Sequence, residues 1–217
     1  MFNAYPNVDA SWLHFIDVTQ PAVELSRAAH REALLRWLNS WGCRIRYPRE
    51  GEPALFDSGI AAWWGDHGPT LPGGSLAGLS DVDIETAAEA YVALAAVPVA
   101  TGRVARSLGP TAAAKALYAV RPRVVMPWDA AVAARLYGRR DGAAFASHLR
   151  TGRAWAQAAL AEAGPTVAED AVPALVGRPL VSLAKILDEY LYVTITRSSI
   201  IPKPGVRAQV TVPRSTG

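Results

Sequence analysis

Cysteine is almost absent from the sequence, and so are long apolar runs; each absence limits what the protein can be. Cys43 is the only cysteine in 217 residues, which excludes an internal disulfide and a cysteine-based zinc cluster. No uninterrupted apolar run reaches membrane-spanning length, and no signal-peptide pattern stands at the N-terminus. We therefore expect a cytoplasmic protein that does not enter a membrane.

Local signatures of the common enzyme classes are also missing. The sequence has no Walker loop, no Gly-x-Gly-x-x-Gly after a strand, no zinc-helix motif and no Gly-x-Ser-x-Gly. Most soluble enzyme classes with strong local signatures are therefore unsupported. We expect neither a metal ion nor another cofactor.

The composition is that of a folded, mostly helical protein. Apolar residues make up 51% of the chain and charged residues 19%, which is typical of globular proteins. Alanine is frequent, and strand-forming residues cluster only near the C-terminus. We predict an all-α fold in a single domain, 1–217. The alternatives left open are two lobes, 1–100 and 101–195, with a tail at 197–217 that either adds one short strand or is mobile.

Four segments carry helical signals. An apolar stripe with helical spacing runs through 21–41. Ser80, followed three residues later by Asp83, resembles the capping box that begins a helix. A further helix is expected at 143–163, and a last helix or helix-to-strand stretch at about 180–194.

Other segments are expected to be less regular or shorter. The first 20 residues have few helix signals, so we predict an irregular N-terminal arm. Residues 43–79 are predicted to be a loop-rich connection, and a short helix is expected at 101–107. Val206, Ala208, Val210 and Val212 alternate at period two, which is the pattern of the short C-terminal strand.

Positive charge is concentrated in the middle of the chain. Residues 101–153 carry nine Arg and one Lys against two Asp, whereas 81–100 carry four acidic residues and no basic one. Such asymmetry suggests a polyanionic partner, nucleic acid first, on a continuous positive face. The alternative is a solvated arginine-rich surface, because only three of the 22 basic residues are Lys.

The stretch 108–137 combines this charge with a candidate site. It reads as a turn, a helix that Thr111 can cap, an apolar connector and a second helix. Pro127, Trp128 and Asp129 open the second helix. An aromatic ring and a carboxylate are thus fixed at a helix start, where free N–H groups stabilise negative charge.

This stretch resembles part of the helix-hairpin-helix DNA glycosylases. In that family a Leu-Pro-Gly-Val-Gly hairpin precedes Thr-Ala, an apolar helix, and a connector that ends in a catalytic Asp. Here Leu108–Ala112 stands at the hairpin, Ala113–Val120 at the helix and Val124–Asp129 at the connector, while Val132 and Arg135 follow where the family has an apolar residue and often Arg. The resemblance implies a helix-hairpin-helix glycosylase-like helical bundle.

The sequence also departs from the family pattern. The hairpin is short and lacks the second Gly that lets the backbone approach a phosphate. No Lys stands in the hairpin, where lyase-type members carry their Schiff-base residue, and no Cys cluster follows for an iron–sulfur centre. The resemblance therefore implies a monofunctional glycosylase, or a relative with a changed substrate.

Cleavage of an N-glycosidic bond sets the roles of the candidate residues. Positive charge builds on the sugar, and a carboxylate such as Asp129 stabilises it without a metal. Lys115 is the second catalytic candidate; it can also pair with Asp129, contact phosphate or extend to water. An extruded base needs aromatic and basic contacts. The substrate-binding candidates are Trp128, Tyr118, Arg121, Arg123, Arg135, Trp63 and Trp64.

Each candidate also has a purely structural interpretation. Asp129 precedes Ala-Ala-Val-Ala-Ala and is a good N-cap, while Trp128 and the Trp63-Trp64 pair are suited to core packing. Three functions therefore stay open. The first is a DNA N-glycosylase, the second is a non-catalytic nucleic-acid-binding or interaction protein on the same scaffold, and the third is an enzyme acting on a small nucleoside-like metabolite.

Overall fold

A computed structural model describes residues 9–100 and 105–197, and this part of the chain is mostly helical. The all-α prediction is confirmed at that level. The helices are α1 (Ala10–Thr19), α2 (Ala28–Ser40), α3 (Leu55–His67), α4 (Asp81–Ala96), α5 (Pro110–Val120), α6 (Ala130–Tyr137), α7 (Gly142–Ala163), α8 (Val172–Leu175) and α9 (Leu183–Leu191). Short 3-10 turns lie at Gly68–Thr70 and Glu169–Ala171, and a π-helical segment, Tyr192–Arg197, follows α9.

Helix α4 is central to the packing. It contacts α5, α7 and α3, and its side chains Ile84, Tyr91 and Leu94 are buried. Helix α5 is buried along almost its whole length, and five of its eleven residues are alanines. Small side chains let two helix backbones approach closely, so the alanine-rich composition is accounted for by this close packing.

Aromatic residues join the N-terminal helices to α5. Trp12 and Phe15 of α1 pack against Trp37 of α2 with ring centroids 5.4 and 5.8 Å away. Trp12 also lies 5.1 Å from Tyr118 of α5. This contact fixes α1 and the end of α2 beside the middle of the chain, and Trp41 follows directly after α2.

The connection between α4 and α5 contains a two-stranded antiparallel ladder. Strand β1 (Pro98–Ala100) pairs with strand β2 (Arg106–Ser107). The predicted short helix at 101–107 is wrong for Arg106 and Ser107, because backbone pairing with β1 replaces local helical bonds; 101–104 lie outside the described residues.

The start of α5 also differs from the prediction. Gly109 is its N-cap residue, with a positive φ of 81°, and Pro110 occupies the first turn. Proline lacks the N–H that a cap would satisfy and has the helical φ already set. The predicted capping role of Thr111 is therefore wrong, since Thr111 lies inside the helix.

Three other local predictions are corrected in the N-terminal half. The expected irregular arm contains α1, which Asp9 caps by accepting a 2.9 Å hydrogen bond from the N–H of Ser11. Helix α2 starts at Ala28 and not at residue 21. The backbone before it is held by side chains instead: Arg31 donates to the carbonyls of Leu25 and Ser26 at 2.9 and 2.8 Å.

The expected loop-rich connection at 43–79 contains α3. Phe56, Ile60 and Trp63 are buried at helical spacing, so the sequence did carry the signal. Glycines within and after this run obscure it. Gly59 stands within this helix because Val97 packs where a larger side chain would lie, 2.5 Å from an ideal Cβ position.

The strongest local signals are confirmed. Ser80 and Asp83 form both halves of a capping box at α4, and α7 covers the segment predicted at 143–163. The predicted strand at 206–212 lies outside the described residues. Among the described residues, no helix has the length and apolar character needed to cross a membrane.

Candidate functional site

A cavity of about 510 Å³ lies where the end of α2, helix α5, the start of α6 and helix α9 meet. Its size is that of a small-molecule site. We call it the Asp129 cavity. It is lined by Asp9, Trp12, Ser40, Trp41, Lys115, Tyr118, Pro127, Trp128, Asp129, Arg178, Val181, Lys185, Asp188, Glu189 and Tyr192.

Asp129 is held at the cavity by two hydrogen bonds. Its backbone is extended and its Oδ1 accepts from the N–H of Val132 at 2.8 Å, so it is the N-cap of α6, as predicted. Its Oδ2 accepts from the hydroxyl of Thr196 at 2.7 Å. One carboxylate therefore caps a helix and also faces a cavity.

Aromatic rings form one wall of the cavity. Trp41 and Tyr118 are nearly parallel, at 17°, with centroids 6.4 Å apart, and Trp12 completes the wall beside Tyr118. The indole N–H of Trp41 donates to the carboxylate of Asp9. Burial works to raise the pKa of Asp9, but hydrogen bonds from Ser11 and Trp41 outweigh it, and the pKa falls below its usual value.

The two lysines of the described residues both lie against Trp41. The ammonium of Lys115 donates to the carbonyl of Trp41 at 2.7 Å and lies 5.4 Å from its ring centroid. The ammonium of Lys185 lies 4.5 Å from the same centroid and donates to Asp188 at 2.7 Å. Cations at these distances interact favourably with an indole ring and fix its position.

The charges that line the cavity are nearly balanced. Four carboxylates face three cations, and Arg178 binds Glu189 through both guanidinium nitrogens at 2.8 and 3.0 Å. Burial raises the pKa of Asp188, although Lys185 beside it acts in the opposite direction. Burial also raises the pKa of Tyr118 far above its ordinary value, so its phenol stays neutral.

The structure brings four of the nine predicted site residues to this cavity: Asp129, Lys115, Tyr118 and Trp128. The indole of Trp128 is 1% exposed and packs edge-on against Tyr91 and Phe145, with centroids 5.9 and 5.4 Å away. Its main contribution is therefore to the core beneath Asp129.

The two adjacent tryptophans lie elsewhere. Trp63 is buried and donates to the carbonyl of Ala90 at 2.9 Å. Trp64 is half-buried beneath the guanidinium of Arg121, which lies 5.8 Å from its ring centroid and donates to the carbonyl of Gly68 at 3.3 Å. These contacts are those of a packed helix end.

The other predicted arginines are also outside the lining of the Asp129 cavity. Arg123 lines a neighbouring cavity of about 400 Å³ and pairs with Asp170 at 3.3 Å, while Arg135 is exposed on α6. Arg150 and Arg153 pair with Asp81 on α4, the latter at 2.8 Å. The acidic segment 81–100 thus offsets part of the charge of 101–153.

Several residues were missed from sequence: Asp9, Trp12, Trp41, Arg178, Lys185, Asp188 and Glu189, which line the cavity, and Thr196, which binds Asp129. They come from both ends of the chain, so no local motif unites them. The one available signal was the helical spacing of the charged residues in α9, which places Lys185 and Asp188 on one face.

Comparison with protein families, curated proteins and solved structures finds no match for this chain. In the described residues, no group of three or more His, Cys, Asp or Glu side chains is arranged to hold a metal ion. The cavity and its lining are therefore the features that indicate a function.

Proposed function

We propose that the protein hydrolyses the N-glycosidic bond of a small nucleoside-like molecule bound in the Asp129 cavity. The observation that carries this proposal is the Asp129 carboxylate, fixed at a helix start and facing a cavity with an aromatic wall. The resemblance of 108–137 to helix-hairpin-helix glycosylases points to the same chemistry at the same residue.

The reaction requires a carboxylate more than any other group. As the bond between the sugar C1′ and the base nitrogen breaks, its electron pair leaves with the base and positive charge builds on the sugar. Asp129 stabilises that charge. A water oxygen then bonds to C1′, and the proton that the water loses is taken up by the departing base.

The cavity is suited to a flat, uncharged ligand. Trp41, which is half-buried, offers its ring for stacking a base, a contact that every nucleobase can make, while Tyr118 is only 2% exposed and supports Trp41 from the core. Lys115 uses one of its three N–H donors on the Trp41 carbonyl and has others for a base oxygen or nitrogen.

The ion pairs argue against a phosphate group inside the cavity. Arg178 is committed to Glu189 and Lys185 to Asp188, so neither cation can bind a phosphate without leaving its carboxylate unpaired. A free nucleoside is therefore favoured over a nucleotide.

A base extruded from DNA is the second candidate. Arg135, Arg139 and Arg140 are exposed at the far end of α6, the helix that Asp129 begins. An eight-residue helix is about 12 Å long, so a DNA backbone lying along α6 would reach both Asp129 and these arginines. Binding of this kind would weaken steeply with added salt.

The test is release of free base from a panel of purine and pyrimidine nucleosides and from duplex oligonucleotides with damaged or mismatched bases. Asp129→Asn should lose release by orders of magnitude. The control is Asp141→Asn, because Asp141 caps α7 in the same way, at 2.9 Å from the N–H of Ala144, but does not line the cavity. Equal activity of wild type and Asp129→Asn would overturn the catalytic role. Saturable nucleoside binding without any release would favour a binding protein.

A further inference from the structure

The described chain ends in an unusual segment that reaches back to Asp129. Tyr192–Arg197 continues α9 as a six-residue π-helix. Long π-helical runs are rare, and short ones are frequently found at functional sites. The segment joins α9, which lines one side of the Asp129 cavity, to the start of α6.

Two threonines of this segment use their hydroxyls differently. Thr194 donates to the carbonyl of Tyr190 at 2.7 Å, which is the ordinary bond of a helical threonine to the preceding turn. Thr196 instead donates to Oδ2 of Asp129, 67 residues away in sequence, at 2.7 Å. The direction is fixed, because an ionised carboxylate can only accept.

The hydrogen bond from Thr196 fixes the orientation of the Asp129 carboxylate, which the N-cap bond to Val132 alone leaves free. With only the Val132 N–H bound to Oδ1, the carboxylate can still change the tilt of its plane. A second donor on Oδ2 fixes that plane, and a hydrogen bond to a charged acceptor is stronger than one between neutral groups. Small errors in the placement of a catalytic group lower reaction rates greatly.

We propose that Thr196 is a positioning residue that orients the Asp129 carboxylate toward the ligand in the cavity. This inference rests on the proposed function, since it concerns the same carboxylate. Thr196 acts through Asp129 and not on the substrate, so its loss should lower turnover and leave ligand binding nearly unchanged.

The experiment compares Thr196→Val, Thr196→Ser and Thr194→Val in the base-release assay. Valine keeps the shape of threonine without its hydroxyl, whereas serine keeps the hydroxyl. We expect Thr196→Val to lower kcat about tenfold or more with KM within about twofold, from the usual strength of a hydrogen bond to a charged group. Thr196→Ser should recover most of kcat, and Thr194→Val should resemble wild type.

A second measurement does not depend on activity. In protein labelled with ¹³C-aspartate, Asp129→Asn identifies the carboxyl signal of Asp129. That signal should move in Thr196→Val, while the signal of Asp141 stays in place. An unmoved Asp129 signal would overturn the contact and the proposal with it.

The two measurements separate the two proposals. Full activity of Thr196→Val alongside an active wild type overturns the positioning role alone. An Asp129 signal that moves in Thr196→Val, with no activity in the wild type, overturns the proposed function and with it the catalytic purpose of the contact. A lower kcat with KM nearly unchanged in Thr196→Val, restored in Thr196→Ser, supports both proposals. Thermal unfolding of each variant checks that the fold persists.

Discussion

Arg178 and Glu189 form a two-point ion pair in the wall of the Asp129 cavity. The two guanidinium nitrogens lie 2.8 and 3.0 Å from the two carboxylate oxygens, and both side chains are about one tenth exposed. The pair ties the segment before α9 to α9 itself. Planar two-point contacts of this kind fix orientation as well as distance.

The two members of this pair should be energetically coupled. We expect Arg178→Met to lower the free energy of unfolding by about 3 kcal/mol, because the nearly buried Glu189 carboxylate loses both of its close contacts and keeps only Lys185, at 3.9 Å. The double variant with Glu189→Met should lose clearly less than the sum of the two single losses. Chemical denaturation of the four proteins measures the coupling. Strictly additive losses would show that the pair contributes no coupling energy.

Burial of His148 should make the protein less stable in acid. His148 is fully enclosed, and burial lowers its pKa from 6.5 to about 4. The unfolded chain therefore takes up a proton near pH 6.5, and the folded chain does so only near pH 4. Between these values acidification favours unfolding, and from pH 7 to pH 5 the loss due to this group is about 2 kcal/mol.

The variant that isolates this effect is His148→Gln. At neutral pH the ring Nε2–H donates to the carbonyl of Pro127 at 3.3 Å, so Nδ1 accepts from the hydroxyl of Tyr137 at 3.2 Å. Glutamine can make both contacts but does not titrate. Its stability should fall less than that of wild type between pH 7 and pH 5. Parallel pH curves for the two proteins would contradict the assignment.

The residues that sequence could predict are those whose roles are local. Ser80 and Asp83 satisfy each other across one helical turn, and Asp129 caps the helix that follows it, so spacing alone reveals them. Thr196 contacts Asp129 across 67 residues, and no spacing rule connects the two. The carboxylate was therefore predictable, and the group that orients it was not.

The tryptophans also show that sequence does not reveal contacts between residues far apart in the chain. Trp63 and Trp64 attract attention as a pair, yet packing of α3 accounts for both. Trp41 has no distinctive neighbours in sequence, and it contacts two lysines only because α2, α5 and α9 converge. A binding wall assembled from distant elements leaves no local pattern.

Trp41 should contribute most of the stacking surface for a ligand. We expect Trp41→Leu to weaken nucleoside binding about tenfold or more, the usual effect of removing an aromatic ring from a base. Trp64→Leu is the matched control, because Trp64 lies outside the cavity lining. Isothermal titration with adenosine and uridine measures both variants. Equal weakening by the two substitutions would indicate a general loss of structure and not a stacking role.

Comparing aspartate, asparagine and alanine at position 129 should separate the contribution of this residue to stability from its contribution to base release. Asparagine keeps an oxygen for the Val132 N–H and an amide that can face the Thr196 hydroxyl, so Asp129→Asn should unfold close to wild type. Alanine keeps neither, and Asp129→Ala should lose about 1 kcal/mol from the missing cap. Both variants lack the negative charge that stabilises the sugar cation, so both should lose turnover to a similar degree. Thermal unfolding and base release on the same preparations measure the two effects. If activity instead followed stability, with asparagine active and alanine not, the carboxylate would be a cap alone.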